Sequence, residues 1–413
     1  MMTELGKVVR HQAGNLLRLA RGTPMAPVPM GSMTLDLDDV AIARECLDRP
    51  EMVDDAWTAR FEARFADVVQ TGEAVAFRAG RVALSAILDA LDIGPADEVI
   101  VPGYTCVVVP NAVLYRGATP VYCDIELETY GADLESIRQS LSDRTRAIVV
   151  QHLYGLVCRD YEAILSLAAE HGIAVIEDCA HSTGAKFRGV PVGLHGDAGF
   201  FSSEQTKVIN TTCGGIAVSR RPEILQRLRN FQNASPAPDQ REVQSALQSV
   251  VWNYFRFRHP QRWWRGDVAR LRYGRQPFVA TGEDEMAGRE PAGYRGTMSA
   301  AIARVGCNQL DKLQRYNERR RRNARHWEAW CEEHGFAQPR VIAESEPVFL
   351  RYPVLVDAAL KRSPANMYRR YGVWPGVWFK SHLHPSTREV SGCPTAATAV
   401  EQCVNLPCLT DDD

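Results

Sequence analysis

The chain has 413 residues, with 48 Lys and Arg against 50 Asp and Glu, which gives a formal net charge of -2. This balance argues against a dedicated nucleic-acid-binding protein, whose binding face is strongly basic. The 45% share of hydrophobic residues is enough for a large core and excludes disorder as the main state. No apolar run approaches the ~20 residues that a membrane-spanning helix requires. At ~100–200 residues per domain, the length predicts two or three domains.

The 11 cysteines are scattered and include no Cys-x-x-Cys pair. This pattern disfavours a disulfide scaffold or a zinc ribbon, and it favours reduced thiols in a cytoplasmic protein without a bound metal. The N-terminal segment is basic and lacks an uninterrupted apolar stretch, so we expect no secretory signal. Prolines within Thr23–Met33 break any helix there, and residues 1–55 are predicted to form an N-terminal arm.

From Ala74 to Ser219, short apolar segments alternate with segments of helical periodicity such as Val82–Leu91 and Asp160–His171. This alternation predicts an α/β fold with a mostly parallel sheet flanked by helices. Ligands of such sheets bind beyond the carboxyl ends of the strands, and we assign this large domain to residues 56–230. The predicted strands are Glu98–Val101, Thr119–Asp124, Arg146–His152, Ile173–Asp178, Asp197–Ser202 and Gly215–Ser219.

Residues 231–291 interrupt the alternation with an insertion whose stretch Val251–Arg275 is both basic and aromatic. The favoured interpretation is a surface excursion that packs its aromatic side chains on the C-terminal domain. The alternative is weak contact of residues 250–275 with an anionic membrane surface or a lipid-linked glycan. Residues 292–413 are predicted to form a smaller C-terminal α+β domain. It contains one or two helices within Met298–Gly335 and a strand-like segment, Val348–Val356.

Several short segments carry residues that could bind a ligand or take part in catalysis, and each lies where a strand ends or a helix begins. Phe77–Arg81 leads into a helix, and a glycine there lets the backbone approach an anion, although an ordinary helix N-terminus explains it as well. Asp178 ends an apolar strand, and a buried carboxylate needs a cationic partner, which a structural ion pair would also supply. Lys207 follows another strand on a polar turn, where lysines are usually solvated. Cys213–Gly215 permits close backbone passage beneath a ligand, or forms a turn.

Taken together, these elements have a common chemical meaning. A lysine amine can hold an aldehyde cofactor as a Schiff base, and a carboxylate can keep a pyridine nitrogen protonated. A helix N-terminus with a nearby hydroxyl can bind a phosphate. This inventory points to pyridoxal 5'-phosphate (PLP) as the cofactor.

In the order and spacing of its motifs, the sequence resembles the DegT/DnrJ/EryC1/StrS family of PLP-dependent sugar aminotransferases, which have fold type I. The resemblance covers most of residues 50–410 apart from the insertion, and it implies the large and small domains described above. The matching segments are Gly94–Thr105, Asn111–Asp124, Thr145–Ile148, His152–Gly155, Glu177–Ala185, Gly193–Lys207, Gly214–Gly215, Met298–Arg325, Asn405–Pro407 and Leu409–Thr410.

The resemblance implies roles for individual residues of this chain. Lys207 falls on the Schiff-base lysine and Asp178 on the partner of the pyridinium nitrogen, and these two are the predicted catalytic residues. His181 takes a cofactor-contacting position that is Gln in many members. Cys106 stands where the family usually has an aromatic residue stacked on the cofactor, and Arg295 where an Asn contacts the phosphate of the partner subunit. The predicted phosphate site consists of Gly80, Arg81 and Ser202.

The family's activity implies transfer of an amino group from glutamate or glutamine to a keto sugar, typically nucleotide-linked, or to a keto-cyclitol. Such reactions serve glycan or secondary-metabolite biosynthesis, and the shared active site implies a homodimer. Lys207 would move protons between the substrate carbon and the C4' carbon of the cofactor. Because members that dehydrate sugars carry His in its place, Lys207 favours amino transfer. The alternatives are a PLP-dependent sugar dehydratase or lyase, and a PLP-binding regulatory or assembly protein without turnover.

Overall fold

The computed structural model describes residues 31–255 and 278–409. The first part of the predicted arm, most of the basic aromatic stretch and Thr410 therefore lie outside the described residues. Among the residues that the structure describes, no helix combines the length and the apolar character needed to cross a membrane.

Strands at the centre of the molecule form a mostly parallel sheet, as the sequence predicted. The strands are β1 (Ala74–Phe77), β2 (Glu98–Pro102), β3 (Thr105–Cys106), β4 (Thr119–Cys123), β5 (Thr145–Gln151), β6 (Ala174–Asp178), β7 (Lys186–Phe187), β8 (Val190–Pro191), β9 (Ala198–Ser202), β10 (Gly215–Val218), β11 (Ser345–Glu346), β12 (Arg351–Leu355), β13 (Leu383–His384) and β14 (Cys403–Pro407). The central sheet has the order β1-β10-β9-β6-β5-β2-β4. Its strands run parallel from β9 to β4, and β10 is antiparallel to both neighbours. The six predicted strands are all present, with ends that differ by at most one residue.

Helices cover both faces of this sheet. They are α1 (Leu37–Asp48), α2 (Ala56–Val69), α3 (Gly80–Ala90), α4 (Val108–Tyr115), α5 (Leu134–Ser140), α6 (Tyr161–His171), α7 (Pro222–Asn233), α8 (Gln240–Asn253), α9 (Glu283–Met286), α10 (Ala300–His334), α11 (Ala358–Arg362), α12 (Pro364–Tyr371) and α13 (Pro394–Gln402). Alternate residues of β5 pack into different cores, with Ala147 and Val149 in one and Ile148 and Val150 in the other. Both faces of the strand are therefore buried, as expected for a parallel strand with helices on either side.

The C-terminal part of the chain is organised around α10, a single helix of 35 residues where the sequence allowed one or two. Ser299 caps its start, because its hydroxyl accepts a hydrogen bond from the Ala301 N–H, and Gly335 ends it in a left-handed conformation. The second half of α10 contributes Trp327 and Trp330 to a separate core, together with β12 and β14. Because α7 continues through residue 230, the predicted boundary there falls within a helix, and the domain limits stay a prediction.

The first half of α10 positions the loop that carries Lys207. The amide oxygen of Gln309 accepts hydrogen bonds from the Thr34 hydroxyl (2.7 Å) and from the Asn210 N–H (3.1 Å). Its amide nitrogen donates to the buried carboxylate of Asp39, which also forms an ion pair with Lys312. Buried polar groups of this kind need complete hydrogen bonding, so this network fixes the loop against the helix.

Gly215 is expected to be intolerant of a side chain, because β10 passes directly beneath the start of α3. A Cβ atom at Gly215 would lie 2.2 Å from the carbonyl carbon of Ala79. We therefore expect Gly215→Ala to lower the free energy of unfolding by ~1–3 kcal/mol, measured by urea denaturation. Gly72→Ala is the control, since a Cβ there meets nothing within 4 Å. Equal stability of the two variants would contradict this packing.

Candidate active site

A cavity of about 220 Å³ lies at the carboxyl ends of three neighbouring strands of the sheet. Gln151 at the end of β5, Asp178 at the end of β6 and Ser202 at the end of β9 all line it. The opposite walls come from two distant parts of the chain, which are residues 278–281 and 378–385. The structure therefore places the site where the α/β topology predicted it.

Lys207 points its amine into this cavity and is not a solvated turn residue. Its backbone N–H donates to the carbonyl oxygen of Glu204 (2.9 Å), which closes the turn after β9. The Nζ atom lies 2.9 Å from Nε2 of His181 and 5.2 Å from the ring centroid of Trp378. A primary amine held at the end of a strand between polar and aromatic side chains is placed to act as a nucleophile.

His181 presents a fixed nitrogen to Lys207. The backbone N–H of Tyr154 donates to its Nδ1 atom (3.3 Å), and its ring stacks on Trp378 with centroids 4.5 Å apart. Burial lowers the pKa of His181 well below its usual range, and the positive charges of Lys207 and Arg351 lower it further. The imidazole is therefore neutral. Because Nδ1 accepts a hydrogen bond, the ring proton lies on Nε2, which can donate to the lysine nitrogen only when that amine is itself neutral.

Asp178 is a buried acid that lines the cavity. It is 6% exposed, and its Oδ1 accepts one hydrogen bond from the Ala180 N–H (3.0 Å). Burial raises its pKa above the ordinary value, opposed by the Ala180 hydrogen bond and the charge of Lys207. Among the described residues, no cationic side chain lies within 4 Å of this carboxylate. It is therefore a buried acid that a cationic ligand group would stabilise.

The neighbouring Glu177 supports the site from the other face of the sheet. Its oxygens accept hydrogen bonds from Nε2 of His152, from the Tyr161 hydroxyl, and from backbone N–H groups of the loop after β8. Burial alone would raise the pKa of Glu177, but these hydrogen bonds lower it to about 2. Ligand atoms of His152, Glu177 and Cys179 lie within 4.8 Å of one another, yet both carboxylate oxygens already serve these donors.

The start of α3 offers a site for an anion. Gly80 begins the helix after Ala79, which is extended, so the first N–H groups of the helix point toward the cavity end. A Cβ at Gly80 would lie 3.1 Å from Cβ of Ser202, which shows how closely the helix approaches β9. The Ser202 hydroxyl oxygen accepts a hydrogen bond from the Glu204 N–H (3.3 Å), so its hydrogen can be donated to a ligand. A helix N-terminus with a hydroxyl beside it suits a phosphate.

Two further residues predicted for the cofactor site, Arg81 and Cys106, line the cavity, and Arg81 has protein partners that the sequence did not predict. The guanidinium of Arg81 donates through Nη1 to the Ala280 carbonyl (2.6 Å), and its Nε lies 2.9 Å from Oε1 of Glu285. Contact of this side chain with a phosphate stays a prediction. Cys106 lies in β3, and burial raises the pKa of its thiol, so that it is neutral.

Arg295 lies outside the cavity of its own chain. It is exposed, and its guanidinium stacks over the ring of Phe231 at 4.8 Å. Its role toward the cofactor of a partner subunit stays a prediction.

Sequence reasoning missed the walls of the cavity. The aromatic residues Trp378 and Phe379 line it near His181, together with His384 and the stretch 278–281. The cluster of aromatic residues and histidines between Trp374 and His384 was the only local signal for the first group. Nothing in the sequence between residues 278 and 281 marks that stretch as part of a site.

Solved structures with the same fold are aminotransferases. Aminotransferase TlmJ from Streptoalloteichus hindustanus superposes with a TM-score of 0.71 at 25% identity, over 94% of this chain and 95% of that one. The PLP form of Spr1654 from Streptococcus pneumoniae gives 0.71 at 19% identity, over 94% and 95%, and shows the fold alone. The chain therefore has the fold of the type I aminotransferases. Residues 34–411 match the profile of the DegT/DnrJ/EryC1/StrS aminotransferase family, and the chain belongs to that family.

Curated relatives act on sugars and cyclitols. L-glutamine:scyllo-inosose aminotransferase of Streptomyces griseus is 36% identical over 213 residues, 51% of this chain and 50% of that protein. UDP-N-acetyl-3-dehydro-alpha-D-glucosamine 3-aminotranferase of Acidithiobacillus ferrooxidans is 41% identical over 173 residues, 42% and 47%. L-glutamine:2-deoxy-scyllo-inosose aminotransferase of Streptomyces paromomycinus is 33% identical over 314 residues, 76% and 65%. The matched part of the chain thus spans about half the length of the first two relatives.

The residues that line the cavity fit PLP. Gly80 lets the start of α3 pack closely against Ser202, so the helix N-terminus and the Ser202 hydroxyl lie side by side at the cavity. The buried carboxylate of Asp178 has no cation among the described residues, which is the situation that a protonated pyridine nitrogen would relieve. The Lys207 amine lies in the same cavity.

We expect Glu177→Gln to destabilise the protein and to flatten its response to acid. The pKa of Glu177 falls from 4.5 to about 2 on folding, so its contribution is complete above about pH 4.5 and is lost as the pH falls toward 2. The amide substitution should cost on the order of 3 kcal/mol at neutral pH. Urea denaturation at a series of pH values measures both effects.

The matched control is Glu170→Gln, an exposed glutamate on α6. It should keep the stability and the acid response of the unchanged protein. If Glu177→Gln behaves like this control, the hydrogen bonds to Glu177 do not hold the site together.

Proposed function

We propose that this protein is a PLP-dependent aminotransferase that transfers an amino group from glutamate or glutamine to a keto sugar, nucleotide-linked, or to a keto-cyclitol. The observation that carries the proposal is the placement of the Lys207 amine in one cavity with the buried carboxylate of Asp178, which forms no ion pair with the residues that the structure describes. The family and the names of its curated members support amino transfer to ring ketones. We include a homodimer with a shared site and a cytoplasmic location in the proposal.

The cofactor, when bound, supplies an aldehyde to capture the amino group and a protonated ring to accept electrons. Lys207 would hold the cofactor through its Nζ atom, and the free amine would serve as the base that moves a proton at the substrate carbon. Nε2 of His181 lies 2.9 Å from Nζ, and its N–H would donate to the amine in the neutral form that acts as a nucleophile and base. The stacking of His181 on Trp378 restricts both rings.

Asp178 acts on the ring nitrogen. Its carboxylate is buried at the end of β6, and the Ala180 N–H fixes one of its oxygens. A negative charge in this apolar setting interacts strongly with a cation, so Asp178 would hold the proton on the pyridine nitrogen. At the other end, the N–H groups of Gly80 and Arg81 and the hydroxyl of Ser202 would bind the phosphate, with Arg295 of the partner subunit reaching the same group.

The function is tested by single-turnover amino transfer. Purified protein reconstituted with pyridoxamine phosphate and mixed with a nucleotide-linked keto sugar or an inosose should return the cofactor as the aldehyde. A dehydratase or lyase would consume the sugar without this change, and a non-catalytic binding protein would do neither. Absorbance spectroscopy follows the cofactor, and mass spectrometry follows the sugar.

We expect Lys207→Arg to abolish the borohydride-stable label on the PLP-loaded protein and to slow amino transfer by ~100-fold or more. The reason is that arginine keeps a positive charge but offers no free amine. Lys380→Arg is the control, because Lys380 is an exposed lysine beside the same region and should change neither property. A label that maps to a lysine other than Lys207 would overturn the proposal.

We expect Asp178→Asn to bind PLP but to slow turnover, because a neutral amide cannot hold the ring nitrogen in its protonated form. The loss should reach ~100-fold in kcat with a much smaller change in KM, as for an interaction that strengthens in the transition state. Steady-state kinetics with glutamine and a keto-cyclitol measure this. An unchanged kcat would show that Asp178 does not act on the ring.

A further inference from the structure

Residues 278–286, which we call the cover segment, form one wall of the active-site cavity. Phe278, Ala280 and Thr281 line the cavity, and α9 follows directly. This segment belongs to the predicted insertion, for which the sequence offered only a surface position or contact with a membrane. Its described part instead reaches the same cavity as Lys207.

A buried ion pair fixes the cover segment to the start of α3. Glu285 is 3% exposed, and its Oε1 lies 2.9 Å from Nε of Arg81. The same guanidinium donates through Nη1 to the Ala280 carbonyl (2.6 Å). A carboxylate removed from water in this way depends on its cationic partner, so Arg81 holds the segment at two points.

Three further hydrogen bonds anchor the cover segment to other elements. The Phe278 N–H donates to the Ser249 hydroxyl of α8 (3.1 Å). The side-chain amide of Asn111 in α4 donates to the Glu285 carbonyl (2.6 Å). The Ser386 hydroxyl donates to the Met286 carbonyl (2.9 Å). These contacts hold the segment against three other parts of the chain. Its buried ion pair is the one with Arg81, whereas a second ion pair, between Asp284 and Arg289 (2.7 Å), is exposed.

Arg81 faces the proposed phosphate site at the same time. Its side chain lines the cavity, and it belongs to the first turn of α3 beside Gly80. Nη1 donates to the cover segment and Nε faces Oε1 of Glu285 in the ion pair without hydrogen-bond geometry, while no described residue accepts a hydrogen bond from Nη2. The guanidinium therefore has one nitrogen left for an anion at the helix N-terminus.

We propose that Glu285 is a positioning residue for the cofactor phosphate: it orients Arg81 and couples closure of the cover segment to phosphate binding. The inference rests on the proposed cofactor site, of which Arg81 is part, but it concerns Glu285 and the cover segment, which the family resemblance does not assign. Because coupling between two sites is reciprocal, an anion bound by Arg81 should tighten the cover segment, and the intact ion pair should retain the anion.

Amide hydrogen exchange of the cofactor-free protein tests the coupling without any activity. In the unchanged protein, inorganic phosphate should slow the exchange of amides in residues 278–286. In Glu285→Gln, these amides should exchange faster by roughly tenfold or more, and phosphate should no longer slow them. Glu283→Gln is the matched control, since Glu283 is exposed in the same short helix and should behave like the unchanged protein.

The rate of PLP release, measured beside thermal unfolding, distinguishes a positioning role of Glu285 from a general loss of structure. Release of PLP from Glu285→Gln should be accelerated roughly tenfold or more, while the midpoint of global thermal unfolding stays close to that of Glu283→Gln. Arg81→Gln should release PLP at least as fast as Glu285→Gln, because it also removes the contact with the phosphate. The double variant should release PLP no faster than Arg81→Gln, because Glu285 acts only through Arg81. If the accelerations of PLP release by the two single substitutions multiply in the double variant, the proposal is wrong.

Ser386→Ala provides a second perturbation if Glu285→Gln fails to fold. It removes one hydrogen bond to the segment and should speed exchange in residues 278–286 by roughly two- to tenfold. The proposal is wrong if neither substitution changes the amide exchange rates of residues 278–286. It is also wrong if phosphate slows this exchange as much in Glu285→Gln as in the unchanged protein. Because inorganic phosphate is the probe, the exchange experiment tests the coupling between Arg81 and the cover segment even if the protein does not use PLP.

Discussion

The buried carboxylate of Glu177 is the constraint on which the site depends. A charge with no exposure is tolerated only when hydrogen bonds replace water. Glu177 receives them from His152 directly after β5, from α6 and from the loop that precedes β9. His152 is itself fixed, because its Nδ1 accepts from the Cys158 N–H (3.3 Å) and leaves Nε2–H for Glu177. One side chain thus joins the strand ends around the cavity.

The carboxylates at two adjacent positions of β6 have pKa values that are shifted in opposite directions. Successive side chains of a strand point to opposite faces, so Glu177 meets its donors while Asp178 meets the cavity. Hydrogen bonds lower the pKa of Glu177 to about 2, whereas burial raises that of Asp178. Neighbouring acids with divergent pKa values mark a division between a structural and a chemical role. A shift of one residue in the strand register would exchange these roles.

The sequence was sufficient where the signal is local. Strand ends follow from apolar runs, and for this reason the sequence alone predicts that Asp178, Ser202 and Lys207 lie at one edge of the sheet. The sequence does not predict contacts between segments that are far apart along the chain. The nitrogen that faces Lys207 depends on the N–H of Tyr154, which belongs to the matching segment His152–Gly155 but whose φ of 58° no sequence pattern indicates. The partner of Arg81 lies about 200 residues away in the sequence, at Glu285, beyond the reach of periodicity or spacing.

The walls of the cavity are held by charges that take no part in the proposed chemistry. On one side, Arg81 and Glu285 fix the cover segment. On the other, the buried ammonium of Lys361 donates to the carbonyls of Phe379, Ala399 and Val400, and its burial lowers its pKa to about 8. Two of these carbonyls belong to the last turn of α13, where the helix dipole favours a cation. Because Phe379 and Trp378 line the cavity, this contact sets the position of the aromatic wall. The space left for a substrate therefore depends on two electrostatic anchors outside the reacting groups, and the strand ends fix only where the amine and the acid lie.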